Sequence, residues 1–330
     1  MKKIASSGIN IIYRILRNVQ SALLSAYPGV IQSLLRDRKI FYGEFFGSDS
    51  RVLTFFKNII EPENLVAKVN YGQVHFVPDL FGKARNTGRI EMNSEEEEIF
   101  GQFNRDGVVI LPGRFKELAD YFCKKYKVGP QYSKPSEEYT TNYMNPVDPR
   151  VLSMCVDETI LKVFAKYYGC QPYLRGLPAH NIAYPSIDSK TALGLPRKYG
   201  FGVKWHFDTV NQVQIHMLLT DVEKDGTRML FAKRNHRRMR VHVDPIDNHY
   251  SEEYVQKHYE IVDCCGPAGT AYIFDTNGLH RADAVPDRFR STIEVLFTPG
   301  NSIIPGKLQN PVDIPENLSS LQKEAFRYIL

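Results

Sequence analysis

Beyond Gly169 the chain breaks into short β-rich runs, at 200–208, 212–221, 227–232, 259–263, 270–275 and 290–298. Turn residues such as Asp225-Gly226, Gly266-Pro267 and Pro286-Asp287 separate them. Runs this short, bounded by turn signals, exclude long helices, and several in succession predict a sandwich or barrel. Before Gly169 the pattern is helical. Residues 158–168 place Ile160, Leu161, Phe164, Ala165 and Tyr168 on one face, and Gly169 stands where a left-handed cap belongs. Residues 114–127 do the same with Phe115, Leu118, Tyr121 and Phe122. Ser94 followed by Glu95 to Glu98 marks a helix start, because carboxylates favour the positive end of the helix dipole. Gly107 to Leu111 is a short buried strand closed by Pro112-Gly113, and residues 128–150 form a long loop in which Tyr132 to Tyr143 is a candidate lid. Helices first and strands later predict helices packed on a β-core, a mainly β fold with flanking helices.

Three segments follow. Residues 1–95 are an N-terminal helical or irregular extension, 96–310 the β-core domain, and 311–330 a C-terminal helical tail. Inside the extension, Ile12, Ile15, Leu16, Val19 and Leu23 share a helix face interrupted by Arg14 and Arg17, and Pro28-Gly29 ends the segment. That basic amphipathic helix packs on the domain or makes weak contact with a membrane surface. No apolar run approaches the ~18 residues that a membrane-spanning helix needs. Among 330 residues, 43% are hydrophobic and 24% charged, so a core can form without disulfide or metal staples. The net charge of +5 is too small to argue for nucleic acid. The five cysteines, Cys123, Cys155, Cys170, Cys264 and Cys265, are odd in number and contain no C-x-x-C pair. Reduced thiols in a cytoplasmic protein are the expectation.

Chemistry concentrates in two stretches. Trp205-His206-Phe207-Asp208 falls in the 200–208 run, where positions i and i+2 point to one side of a strand, so an imidazole and a carboxylate can meet at one point. A pattern of three residues also arises by chance. Downstream, the strand Thr270 to Asp275 is followed by Gly278-Leu279-His280, and a further strand starts through Asp287, Arg288, Phe289, Arg290, Ser291 and Thr292 and ends near Phe297. Two antiparallel strands joined in this way would bring His280 and Arg290 near each other.

The order of H-x-D, distal histidine and following arginine resembles the phytanoyl-CoA dioxygenase family of Fe(II)/2-oxoglutarate-dependent oxygenases. The supporting stretches are Phe103 to Leu111, Trp205 to Asp208, Leu218 to Val222 and Gly278 to Ala282, and the resemblance spans roughly residues 100 to 300. It implies a double-stranded β-helix (jelly roll, cupin-like) core and an iron held by His206, Asp208 and His280. Two imidazoles and a carboxylate suit Fe(II) and leave positions open, which the resemblance assigns to 2-oxoglutarate and O2. The implied reaction oxidises a small-molecule substrate and releases succinate and carbon dioxide. Arg290 is implied to hold the distal carboxylate of 2-oxoglutarate through a two-pronged hydrogen bond, with Thr292 adding a hydroxyl. Arg288 shares the strand parity and is the rival, while Arg-x-Thr fits the family's pattern. Relatives that halogenate replace the carboxylate of Asp208, so hydroxylation or a related oxidation is implied, with desaturation, ring formation and epimerisation open. A catalytically inactive cupin-like ligand-binding protein and a protein or nucleic-acid hydroxylase are the alternatives.

Other polar residues carry plainer expectations. His216 is a core or supporting histidine, His236 is structural, and His242, His249 and His258 lie in an exposed polar insertion. The run Lys233 to Arg240 is a solvated loop or a rim that attracts an anionic small molecule such as a phosphate, carboxylate or coenzyme A ester. It lacks interleaved aromatics, so no nucleic acid is expected. Asn181 and Tyr184 are candidate pocket residues, and strand alternation turns Trp205 away from its neighbour His206.

Overall fold

A computed structural model of the chain describes residues 90–144, 147–193, 202–208, 212–237, 250–299 and 318–326. The helix expected at 10–25, and the extension up to residue 89, lie outside the described residues, as do His242 and His249. The first element is α1 (Ser94–Asp106), opened by a reciprocal capping box between Asn93 and Glu96 and closed by Gly107 at φ 80°. It is followed by β1 (Val108–Leu111) and α2 (Lys116–Tyr126). The segment expected to be a long loop holds a turn of 3-10 helix (Pro130–Tyr132), the edge strand β2 (Thr140–Tyr143) and the start of α3 (Pro149–Cys155). Then come α4 (Glu158–Tyr168), β3 (Pro172–Leu174), β4 (Ala179–Ala183) and the short α5 (Ser189–Ala192). The C-terminal half contains β5 (Val213–Leu218), β6 (Arg228–Ala232), α6 (Glu252–His258), β7 (Ile261–Cys264), β8 (Ala271–Asp275), β9 (His280–Asp283), β10 (Arg290–Pro299) and α7 (Ser320–Ala325).

The strands form two antiparallel sheets. The larger has the order β1-β8-β5-β10-β4-β2, with β3 also paired to β10, and the smaller has the order β7-β6-β9. The chain alternates between them. From β4 it passes through the Trp205–His206 segment, which bridges to β9, to β5, then to β6 and β7, back to β8, across to β9 and back to β10. Strand alternation gives each face of the larger sheet its own partner. Val213, Ile215, Met217, Ile273, Ile293, Val295 and Phe297 point to the helices and pack with Phe103, Ile160, Leu161 and Phe164 in the main core. Helix α4 is buried at Ile160, Leu161, Val163, Phe164, Ala165, Tyr167 and Tyr168, a wider stripe than a surface helix shows, because α1 covers its other side with Phe103 against Phe164. The opposite face of the larger sheet meets the smaller sheet through Leu218, Tyr272, Phe274, Met229, Phe231 and Cys264.

Two strand expectations need correction. Residues 200–208 are not a continuous strand; within the described part, only Trp205 and His206 make bridges, to Tyr250 and His280. Nor do the strands flanking His280 pair with each other. β5 lies between β8 and β10, and the chain after β8 crosses to the smaller sheet as β9 before returning. All five cysteines are unbridged, and no described helix is long and apolar enough to cross a membrane.

Candidate metal centre

His206, Asp208 and His280 come together where the Trp205–His206 segment pairs with the start of β9. Their ligating atoms lie within 4.8 Å of one another. The backbone sets this spacing. His206 and His280 exchange both of their hydrogen bonds, at 3.0 and 2.9 Å, and the Asp208 amide donates to the Thr276 carbonyl at 2.8 Å. The imidazoles are oriented in the same manner. Nδ1 of His206 lies 2.7 Å from the Lys204 carbonyl, and Nδ1 of His280 lies 2.8 Å from the Gly278 carbonyl. A carbonyl only accepts, so each Nδ1 carries the proton and each Nε2 is left with its lone pair. On Asp208, Oδ2 accepts from Gln212 Nε2 at 2.9 Å, and the side-chain Oε1 of Gln212 in turn accepts from Arg175. Two Nε2 lone pairs and a tethered carboxylate form the donor set that suits a divalent transition metal, with the outer hydrogen bonds such sites use to fix their ligands.

The backbone before His280 is clamped from β6. Asn235, fully buried, donates to the Ala232 carbonyl and accepts from the Leu279 amide at 2.7 Å. Trp205 turns away from the cluster and is 1% exposed, its indole donating to Glu252 at 2.7 Å.

The inward face of β10 carries Arg290, Thr292 and Glu294, opposite in parity to the core residues Ile293 and Val295. Arg290 is 4% exposed. Arg288 lies outside, its side chain half exposed and paired with Asp225 at 2.9 Å. Within this interior the Tyr139 hydroxyl meets Arg290 and Thr292, and burial pushes its acidity down while Arg290 opposes that shift. His216 and Tyr272 stand on neighbouring strands, with His216 Nδ1 3.1 Å from the Tyr272 hydroxyl and Nε2 2.8 Å from Gln214 Oε1. Burial, assisted by Arg290 and His280, holds the His216 pKa well below the usual imidazole value. Asn181 faces the same interior, donating to Glu294 at 2.6 Å, whereas Tyr184 packs edge-on against Phe289.

Sequence reasoning missed Tyr139, Gln212, Asn235 and Glu294. A signal existed only for Glu294, which shares strand parity with Arg290 and Thr292. The described cations of the basic run face outward, with Lys233 on Glu260 at 2.5 Å and Arg234 on Asp106 at 3.1 Å. His236 is buried beside Gly107 and Tyr167, and His258 is exposed.

No family model matches the chain, and no curated protein matches it. Among solved structures, it is similar to the non-haem α-ketoglutarate-dependent epimerase SnoN from nogalamycin biosynthesis, at 14% identity over 68% of this chain and 93% of that one, TM-score 0.47. It is similar to EctD from S. alaskensis at 12% identity over 65% of this chain and 79% of that one, TM-score 0.47. HygX from Streptomyces hygroscopicus, solved with nickel and 2-oxoglutarate, is 10% identical over 68% of this chain and 96% of that one, TM-score 0.46.

Proposed function

We propose that the chain is an Fe(II)- and 2-oxoglutarate-dependent oxygenase that oxidises a small molecule, built on a double-stranded β-helix. The observation that carries this reading is the convergence of His206, Asp208 and His280 within 4.8 Å, with both imidazoles locked as Nε2 donors. These three residues would hold the iron. With 2-oxoglutarate and O2 it supplies the oxidising chemistry, in which the cosubstrate leaves as succinate and carbon dioxide and a substrate C–H bond is oxidised.

The protein's own residues do the positioning. Arg290 offers a buried guanidinium fork on the wall facing the cluster, and Thr292 and Tyr139 bring hydroxyls beside it, a set that fits one end of a dicarboxylate. Gln212 holds one oxygen of Asp208 and leaves the other for the metal. Phe274, whose ring lies 5.3 Å from that of His280, and Phe231 on the facing strand give the centre an apolar wall on that side.

The test is a titration of 2-oxoglutarate into the anaerobic Fe(II)-loaded protein, following the weak visible charge-transfer band of the chelate. A saturable band is expected in the wild type and none in His206→Ala. Arg290→Ala should raise the 2-oxoglutarate Kd by roughly 100-fold, in line with losing a charged hydrogen-bonded pair. No band from protein with confirmed iron would overturn the reading. A loss with Arg288→Ala but not Arg290→Ala would overturn the anchor.

A further inference from the structure

Glu294 is a carboxylate in a place where a carboxylate is costly. β10 runs between β5 and β4, so an inward side chain at its middle has no route to bulk solvent beside the strand. Yet the Glu294 side chain is 21% exposed, which means it opens into the space between the sheets. Its Oε2 accepts from Asn181 Nδ2 at 2.6 Å and lies 3.7 Å from His216 Nε2. That histidine does not neutralise it. Both His216 ring nitrogens are engaged by Tyr272 and Gln214, an arrangement the neutral imidazole satisfies. No described lysine or arginine makes an ion pair with Glu294; burial pushes its carboxyl up and the charge of Asp208 adds to that, against the Asn181 hydrogen bond and the more distant charge of Arg290.

The neighbouring amide has the complementary deficit. Asn181 is 1% exposed, and its Oδ1 has no hydrogen-bond partner among the described residues. With one amide N–H given to Glu294, its Oδ1 is left as a buried acceptor with nothing to accept from among the described residues. Asn181 Oδ1 and the second oxygen of the Glu294 carboxylate therefore face the same interior with no donor among the described residues. An acceptor buried in the state of Asn181 Oδ1 is destabilising unless a ligand completes it. A purely structural position would be filled more cheaply by an apolar side chain.

We propose that Glu294 and Asn181 form an anchoring subsite for a protonated amine of the primary substrate. The proposal rests on the oxygenase reading for the identity of that substrate, and it deepens the reading by naming its chemical class. The ammonium donates to Glu294 Oε1 and Asn181 Oδ1, and Arg290 remains free for an acidic cosubstrate. The interior thus separates its two guests by charge, a cation at Glu294 and an anion at Arg290.

The test uses the full-length metal-free protein and calorimetric titration with two probes of equal size, n-butylammonium and n-butanol. Saturable binding of n-butylammonium alone is expected, weakened at least about tenfold in Glu294→Gln, equivalent to about 1.4 kcal/mol. Glu294→Asp, which keeps the charge, should retain the preference for the cation. Three results would overturn the proposal. They are no saturable binding of n-butylammonium to the wild type, equal binding of n-butanol, and unchanged affinity in folded Glu294→Gln. The 2-oxoglutarate titration described above is run in parallel. Ammonium binding without a 2-oxoglutarate band would sink the oxygenase reading and leave the amine subsite standing.

Discussion

Asp208 owes its position to a residue that is not itself in the cluster. Gln212 Nε2 holds one carboxylate oxygen at 2.9 Å, and its Oε1 accepts from Arg175. Removing such an outer partner typically lowers metal affinity about 10- to 100-fold. Gln212→Leu should therefore weaken Fe(II) binding by that factor in an anaerobic titration, with the fold intact by circular dichroism. Unchanged affinity would mean that the backbone bond from Asp208 to Thr276 suffices. The three cluster residues were legible in the sequence because their order along the chain resembles a known pattern. Gln212 was not, because its contribution depends on a contact with Arg175, which no periodicity marks. Tyr139 was hidden for the same reason within a segment rich in proline and tyrosine, and Asn235 was masked by the lysines and arginines on either side of it.

The turn between β8 and β9 shows how an element can shape the candidate metal centre without providing one of its three residues. Gly278 offers its carbonyl to His280 Nδ1 at 2.8 Å and its amide to the Asp275 carbonyl at 2.9 Å. A Cβ at this position would strike the Phe231 ring, with Cε2 at 2.7 Å, and would lie 3.1 Å from the Asp275 carbonyl oxygen. Either the ring or the turn must shift, and overpacking of this kind costs roughly 1–3 kcal/mol. Gly278→Ala should lower thermal stability and also weaken Fe(II) binding, because the carbonyl that sets the His280 tautomer moves with the turn. A stability loss with undiminished metal affinity would show that Phe231 alone absorbs the clash. Elements with a strong pattern were legible, as in α4 with its buried stripe and Gly169 cap, or β5 with its alternating Val213, Ile215 and Met217. β9 was not, since His280–Asp283 is short and mostly half-buried. The fully exposed β2 has no alternation to read, and it is a strand because the edge of β4 supplies hydrogen bonds to it.

On the scale of the whole molecule, the helical layer is fastened to the large sheet partly through a histidine that must stay neutral. His180 on β4 lies 2.7 Å from the Ser291 hydroxyl and presents its ring edge-on to Phe122 of α2, with centroids 5.3 Å apart. Burial pushes its pKa down to about 4 from an ordinary value of 6.5. As the pH falls below 6.5, the unfolded chain takes up a proton that the folded chain refuses until about pH 4, so stability is lost across that interval. By pH ~5 the loss is about 2 kcal/mol, a substantial part of the 5–15 kcal/mol that ordinarily holds a domain together. His216, also held neutral by burial, acts in the same direction. Asp148 does not contribute to this interval. Its carboxylate, bonded to Lys125, Arg150 and two tyrosines, is held at about 2 against burial, so its stabilisation is lost only as the pH falls below the ordinary carboxylate value of 3.8. Urea unfolding at neutral pH and at pH ~5 should show this acid sensitivity in the wild type, and in His180→Asn about 2 kcal/mol less loss between the two. The asparagine keeps a polar group near Ser291 and cannot take up the proton. An equal loss in both proteins would assign the acid sensitivity to other groups, and would mean that the contact between α2 and the sheet does not depend on the charge of His180.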